Sequence, residues 1–242
     1  MFLVYCIDNN NIYILIEDDM KKKDFILAIL SKKAYQNEIV WPGYDSEFFS
    51  VTNGTQFHIL TSSTRQIICF RGTENNVNDI KTGLKVRRSS VSGYPVHRGF
   101  LDAYRSVEDI LQKNLSPDKE ITFTGHSLGG ALAILSCCLL DGNSRAVSFG
   151  APRVFGRKGQ KAFRQKNITR YETSCDPVPF LPPYLLGYRH VGDSVYLNNE
   201  YRSRQVNLSP LTPFFDMLFS NVWRKASAHS IRTYIRKLGA HR

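Results

Sequence analysis

Apolar and polar positions along the chain switch between a two-residue and a helical period. Runs rich in β-branched and aromatic side chains, Phe57–Leu60 and Gln66–Phe70, predict two strands paired around the polar turn Thr61-Ser-Ser-Thr64. Glu120–Thr124, Ala146–Phe149, Ile168–Tyr171 and Ser194–Leu197 read as further short strands. An N-terminal hairpin is expected from Phe2–Ile7 and Ile12–Ile16, joined through Asp8 to Asn11. Between the strands the period lengthens. A helix is predicted from about Lys21 to Asn37, with Lys32 and Lys33 toward its end, where cations suit the helix dipole. Leu101, Tyr104, Val107, Leu111 and Leu115 recur on one helical face until Ser116-Pro117 stops it. Leu128 to Leu140 is apolar all round, as a buried helix is, and Asp141-Gly142-Asn143 closes it. Strands alternating with helices predict an α/β fold, a mostly parallel central sheet with helices on both faces.

The chain has 242 residues, enough for one α/β domain across 1–242, with no internal repeat or Pro/Gly/Ser-rich linker to divide it. The N-terminus lacks the basic region and cleavage site of a secretory signal, and no apolar run reaches the roughly 18 residues of a membrane span. The five cysteines are an odd number without zinc spacing and read as buried free thiols in a reducing compartment. An intracellular, cytoplasmic protein is therefore expected, with no metal. The net charge is +11, and no acidic side chain follows Asp216. Such a surface keeps a protein soluble, or draws it peripherally to an anionic lipid surface at up to about 1 kcal/mol per basic residue. No recognition helix or stacking aromatic face accompanies the charge, so no nucleic-acid partner is expected.

Chemistry concentrates in Thr124-Gly-His-Ser-Leu-Gly-Gly130. Gly125-His126-Ser127-Leu128-Gly129 has the Gly-x-Ser-x-Gly arrangement, with a strand before it and a helix after it. That context makes a nucleophile elbow. The turn lifts the Ser127 hydroxyl clear of the backbone and sets the Leu128 amide at a helix N-terminus, facing a developing oxyanion.

A serine needs a base, and the base needs an orienting carboxylate. In the α/β-hydrolase order the acid follows the serine and the histidine comes last. Asp176 is favoured as the acid because the run from Ile168 delivers it from a strand end into a loop fixed by Pro177, where open α/β sheets place their sites. Asp141, Asp193 and Asp216 are the alternatives. His229 is favoured as the base because an amphipathic helix with Ile231, Tyr234, Ile235 and Leu238 follows it directly. His190 and His241 are the alternatives. A second oxyanion donor is expected from an early strand-to-helix loop, and the amide of Thr73 in Arg71-Gly-Thr73 fits. Activity should rise with pH as the histidine, ordinarily near pKa ~6.5, loses its proton.

In order along the chain, Phe70-Arg-Gly-Thr73 with Asp79, Val96-His-Arg-Gly-Phe100, Thr124–Gly130, Ser148-Phe-Gly-Ala-Pro-Arg153, Asp176-Pro-Val-Pro179, Tyr188-Arg-His-Val-Gly192 and Ala228-His229 with Tyr234 resemble the class-three lipases. These are α/β-hydrolases typified by fungal triacylglycerol lipases and plant phospholipases of the A1 type. The resemblance implies an esterase for lipid carboxyl esters, glycerides or phospholipids, that needs no cofactor. Ser127, Asp176 and His229 match its triad, Thr73 and Leu128 its oxyanion hole, and His97 a structural position. A lipase-like binding module that has lost the chemistry is the alternative. The interval from Glu74 to Val96, where the family carries a lid, is short and rather polar here. Phe214, Phe215, Leu218, Phe219, Val222 and Trp223 form one apolar stripe after Pro213, read as core packing or else as an acyl-chain wall or membrane-docking face beside His229.

Overall fold

The computed structural model describes residues 6–7, 11–12, 20–73, 88–173, 176–197, 203–205 and 229–239. In chain order the elements begin with β1 (Cys6–Ile7), β2 (Asn11–Ile12), α1 (Met20–Lys33), β3 (Asp45–Ser50), β4 (Gln56–Thr61) and β5 (Arg65–Phe70). They continue with β6 (Arg88–Val91), β7 (Tyr94–His97), α2 (Arg98–Asn114), β8 (Glu120–His126), α3 (Leu128–Leu139) and β9 (Ser144–Phe149). The last are β10 (Phe155–Gly156), α4 (Arg157–Ala162), β11 (Asn167–Thr173), β12 (Tyr188–Arg189), β13 (Asp193–Leu197), β14 (Ser203–Gln205) and α5 (Ile231–Gly239).

The main sheet runs β14-β13-β11-β9-β8-β5-β4-β3. Its centre, from β13 to β5, is parallel. Its edges, β14 on β13 at one side and β4 on β5 and β3 on β4 at the other, are antiparallel. Parallel strands cannot be joined by tight turns, so helices must cross over the sheet and cover both faces. On one face α2 and α3 build a core with Phe70, Phe123 and Ile134 at its centre. α3 is buried from Gly129 to Cys138, which explains why its sequence is apolar on every side. α2 buries Leu101, Tyr104, Val107 and Leu111 of the stripe its spacing predicts, and Phe100 besides, while Leu115 caps the helix half-buried. On the other face α1 and α5 cover Leu60, Val147, Phe149 and Tyr171. Each large apolar side chain buried there contributes about 1.5–3 kcal/mol.

α1 also carries a buried charge. The Asp24 carboxylate pairs with Arg145 of β9 and accepts the Tyr171 hydroxyl of β11 at 2.8 Å, fixing the helix across two strands. Burial pushes the pKa of Asp24 up, against the pull of Arg145. α1 ends at Lys33, four residues short of the expected boundary, because the chain turns at Ala34–Asn37 and hands the Gln36 carbonyl to the His58 ring at 2.9 Å.

Two features were not expected. β3 is exposed or half-buried along its whole length, so Asp-Ser-Glu-Phe-Phe-Ser shows no clean alternation. A second, four-stranded antiparallel sheet, β12-β10-β7-β6, uses strands of two to four residues, too short to carry a period. The N-terminal hairpin is described only where Cys6 pairs with Ile12 and Ile7 with Asn11. The apolar stripe at 214–223 and the interval 74–87 lie outside the described residues.

Candidate active site

Ser127 sits between β8 and α3 with φ 58° and ψ −124°. Its amide donates to the Phe149 carbonyl at 3.0 Å, so the turn is tied to β9. Strand and helix approach too closely for side chains on the flanking glycines. A methyl on Gly125 would stand 2.4 Å from the carbonyl carbon of Gly129, and one on Gly129 would stand 2.3 Å from the Phe70 carbonyl oxygen. That second contact brings the end of β5 against the first turn of α3. Thr73 follows directly and is exposed, while Leu128 is the first residue of α3. Leu128, one expected oxyanion donor, thus adjoins the serine in sequence, and Thr73, the other, lies three residues beyond Phe70, whose carbonyl packs against this turn.

Asp176 lies just beyond the carboxyl end of β11, and Ser127 directly follows the carboxyl end of β8, so both residues emerge on the same edge of the sheet. The Asp176 amide donates to the Thr173 carbonyl at 3.1 Å, which turns the chain off the strand. Its carboxylate is completely buried. Oδ1 accepts the Val178 amide at 2.9 Å, and Oδ2 meets His229 Nδ1 at 2.8 Å and the Tyr234 hydroxyl at 2.6 Å. On the far side of the imidazole, His229 Nε2 stands 2.8 Å from Ser127 Oγ. Serine, histidine and aspartate thus form one continuous hydrogen-bonded chain from residues 102 and 53 positions apart. A proton on Ser127 can pass to Nε2 while Oδ2 fixes the tautomer and steadies the cation that forms.

The loop after Asp176 is held from below. Arg153 donates to the carbonyls of Phe180 and Pro182, and His190 Nε2 donates to the Pro179 carbonyl at 2.8 Å. Burial, reinforced by Arg170 and Arg153, holds His190 well below its ordinary pKa, so it serves as a neutral donor and stands away from the serine chain.

Three contributors were not assigned a role from sequence. Tyr234 belongs to the helix stripe and to the family pattern, but its hydroxyl had no role in either. The His126 ring packs 4.6 Å from the His229 ring, centroid to centroid, and its Nδ1 lies 3.0 Å from the Tyr35 hydroxyl. Burial first and the neighbouring His229 second keep His126 neutral, far below the ordinary histidine value. Burial also pushes Tyr35 up to about 12, against the pull of Arg71, whose guanidinium lies 5.8 Å from its ring. The Tyr35–His126 pair bridges 91 positions, and no local pattern signals it.

The remaining candidates separate from this cluster. Asp141 is exposed beyond the opposite end of α3, Asp193 is exposed at the start of β13, and Asp216 and His241 lie outside the described residues. His97 is buried against Phe100 and Tyr188, with ring centroids 4.3 and 6.0 Å apart, which suits the structural position expected for it. Among the described residues no cluster of His, Cys, Asp or Glu could hold a metal ion, and no helix is long and apolar enough to cross a membrane. Cys69, Cys137 and Cys138 are free and buried, as expected.

Residues 67–186 match the family described as Lipase (class 3). A lipase from Rhizomucor miehei is 34% identical over 165 residues, covering 60% of this chain and 45% of that protein. The secreted mono- and diacylglycerol lipase 1 of Fusarium solani is 30% identical over 161 residues, covering 60% and 48%. The chain thus spans about half the length of these relatives. The solved structure of the Rhizomucor miehei lipase propeptide complex superposes with a TM-score of 0.69 at 21% identity, over 88% of this chain and 80% of that one. Relatives named as secreted point to an extracellular location and correct the intracellular, cytoplasmic expectation. The thiols misled because a buried cysteine is shielded from oxidants in any compartment, so its free state does not report where the protein resides. Family match and relatives agree that the segment 67–186 belongs to the class 3 lipase family, and the superposition gives the chain the α/β-hydrolase fold.

Proposed function

We propose that this chain is a single-domain serine hydrolase of lipid carboxyl esters, with glycerides as its first substrate class. Ser127 attacks the acyl carbonyl while His229 Nε2 takes its proton. Asp176 holds the imidazole and stabilises the cation. The amides of Leu128 and Thr73 receive the oxyanion, each worth about 3–4 kcal/mol in the transition state. His229 then protonates the departing alcohol. Water repeats the sequence on the acyl-enzyme and frees the fatty acid.

The reading is carried by the pair of 2.8 Å contacts that joins Ser127, His229 and Asp176 at a strand-to-helix elbow. Glycerides come first because the relatives are named as lipases, two of them as mono- and diacylglycerol lipases of different fungi. The net charge of +11 favours an anionic interface and keeps phospholipids as the second class. Fluorophosphonate labelling of the folded protein against Ser127→Ala tests the reading. Labelling that depends on Ser127, with fatty acid released from diacylglycerol, is the expected result. A folded protein that takes no label would mark a module that keeps the family's frame and has lost its chemistry.

A further inference from the structure

Tyr184, Leu185 and Leu186 form one 3-10 turn eight residues past Asp176, and Leu185 is 91% exposed. Among the described residues, three of the four exposed large hydrophobic side chains are these. A single exposed leucine is ordinary, but three consecutive exposed large apolar side chains on one rigid turn are not. The turn is rigid because polar groups hold its backbone. Arg88 donates to the Leu186 carbonyl, and Arg189 donates to the carbonyls of Tyr184 and Tyr188 at 2.8 Å each. Gly187, with φ 81°, closes the turn by donating to the Tyr184 carbonyl at 2.9 Å. The Arg189 guanidinium also lies over the Tyr184 ring, 3.3 Å from its centroid.

Directly beside this tip runs a groove lined by Arg88, Arg157, Lys158, Gly187 and Tyr188, among others. Its volume of about 220 Å³ leaves room for a phosphodiester headgroup. Among the described residues no carboxylate forms an ion pair with Arg88, Arg157, Lys158 or Arg189. Arg157 and Lys158 are exposed, at the start of α4. An apolar projection with cations at its base that meet no carboxylate among the described residues matches a surface with acyl chains inside and anionic phosphates at its rim.

We propose that the Tyr184–Leu186 turn and the Arg88/Arg157/Lys158 groove form a docking surface for an anionic phospholipid layer. The apolar tip enters the acyl region and the groove takes a lipid phosphate. Being carried on the segment that starts at Asp176, the tip would set the serine's side of the sheet against lipid. This deepens the proposed hydrolase reading and rests on it only for the identity of the substrate.

Co-sedimentation of the full chain with vesicles of phosphatidylcholine, with and without phosphatidylglycerol, tests it. The wild type should bind the anionic vesicles more tightly. Leu185→Asp and the double change Arg157→Glu/Lys158→Glu should each lower that affinity by roughly tenfold or more. Both variants should keep wild-type rates on a soluble short-chain ester. Unchanged vesicle affinity in these variants overturns the docking surface, as does equal binding to neutral vesicles. Self-association through the tip, broken by Leu185→Asp while vesicle binding persists, overturns it too and assigns the face to a second copy. A wild type that hydrolyses no soluble ester but binds anionic vesicles through Leu185 would remove the hydrolase reading and leave the surface standing.

Discussion

Replacing Asp176 by Asn changes one atom and should disable the site for a reason visible in its hydrogen bonds. Three donors converge on the carboxylate: the Val178 amide on Oδ1, and His229 Nδ1 and the Tyr234 hydroxyl on Oδ2. Asparagine keeps one oxygen. If that oxygen stays with Val178, the amide nitrogen points its hydrogens at two groups that themselves donate. The imidazole escapes by moving its proton to Nε2, and Nε2 can then no longer accept from Ser127 Oγ, 2.8 Å away. If the amide flips, the Val178 N–H is left unpaired in the interior, at about 1–3 kcal/mol. The retained-oxygen arrangement traps the wrong tautomer, and the corresponding change in a serine-protease triad lowers kcat about ten-thousandfold. That is about 5.4 kcal/mol of transition-state stabilisation at 1.36 kcal/mol per decade. Folding should lose only about 1–3 kcal/mol. The assay is kcat on a soluble ester, with a urea melt to establish that the variant is folded. A folded Asp176→Asn protein within about tenfold of wild type would refute the reasoning, because another group would then be orienting the base.

Tyr234→Phe removes the 2.6 Å bond to Asp176 while leaving His229 in place, so thermal or urea melts should show a loss of about 1.5–3 kcal/mol, with kcat falling far less than in Asp176→Asn. Comparable losses of kcat in the two variants would place Tyr234 in the proton path. Gly129→Ala drives a methyl to 2.3 Å from the Phe70 carbonyl oxygen and should cost about 3 kcal/mol or more, since both partners are backbone; a normal melting curve would show that the elbow junction relaxes freely. His126 and His190 are both held well below the ordinary histidine pKa by burial. Below about pH 6.5 the unfolded chain therefore binds protons that the folded one refuses. Stability should fall with pH there, by up to about 1.4 kcal/mol per pH unit for each histidine until its depressed folded value is reached. Urea midpoints measured from about pH 7.5 down to 5.5 should show the slope, and His190→Gln, which can still donate to Pro179, should flatten it.

The parts of this molecule legible in the sequence are those with local causes. The elbow shows itself because a strand, two glycines and an apolar helix are contiguous around Ser127. Asp176 and His229 could be chosen by chain order and by the rigidity of what adjoins each, though nothing local says that they touch. The ties that reinforce them are different in kind. Tyr35 reaches His126 across 91 positions, and Asp24 reaches Tyr171 across 147. Tertiary packing creates such pairs, and no periodicity announces them. The strands of the second sheet were missed because two to four residues cannot establish alternation, and β3 was missed because an exposed edge needs no buried face. The compartment was misjudged because thiol burial was taken as a sign of redox environment.

The backbone angles at Ser127 have a consequence for how long the molecule survives heating. A φ of 58° with ψ −124° belongs to territory that side-chain-bearing residues avoid, at about 1–3 kcal/mol. Glycine alone is at ease there. The chain is consequently less durable than its own framework permits, and the deficit is located at the one hydroxyl that the proposed chemistry requires. A glycine in that place should yield a tougher, inert molecule, with durability and turnover traded against each other at a single residue.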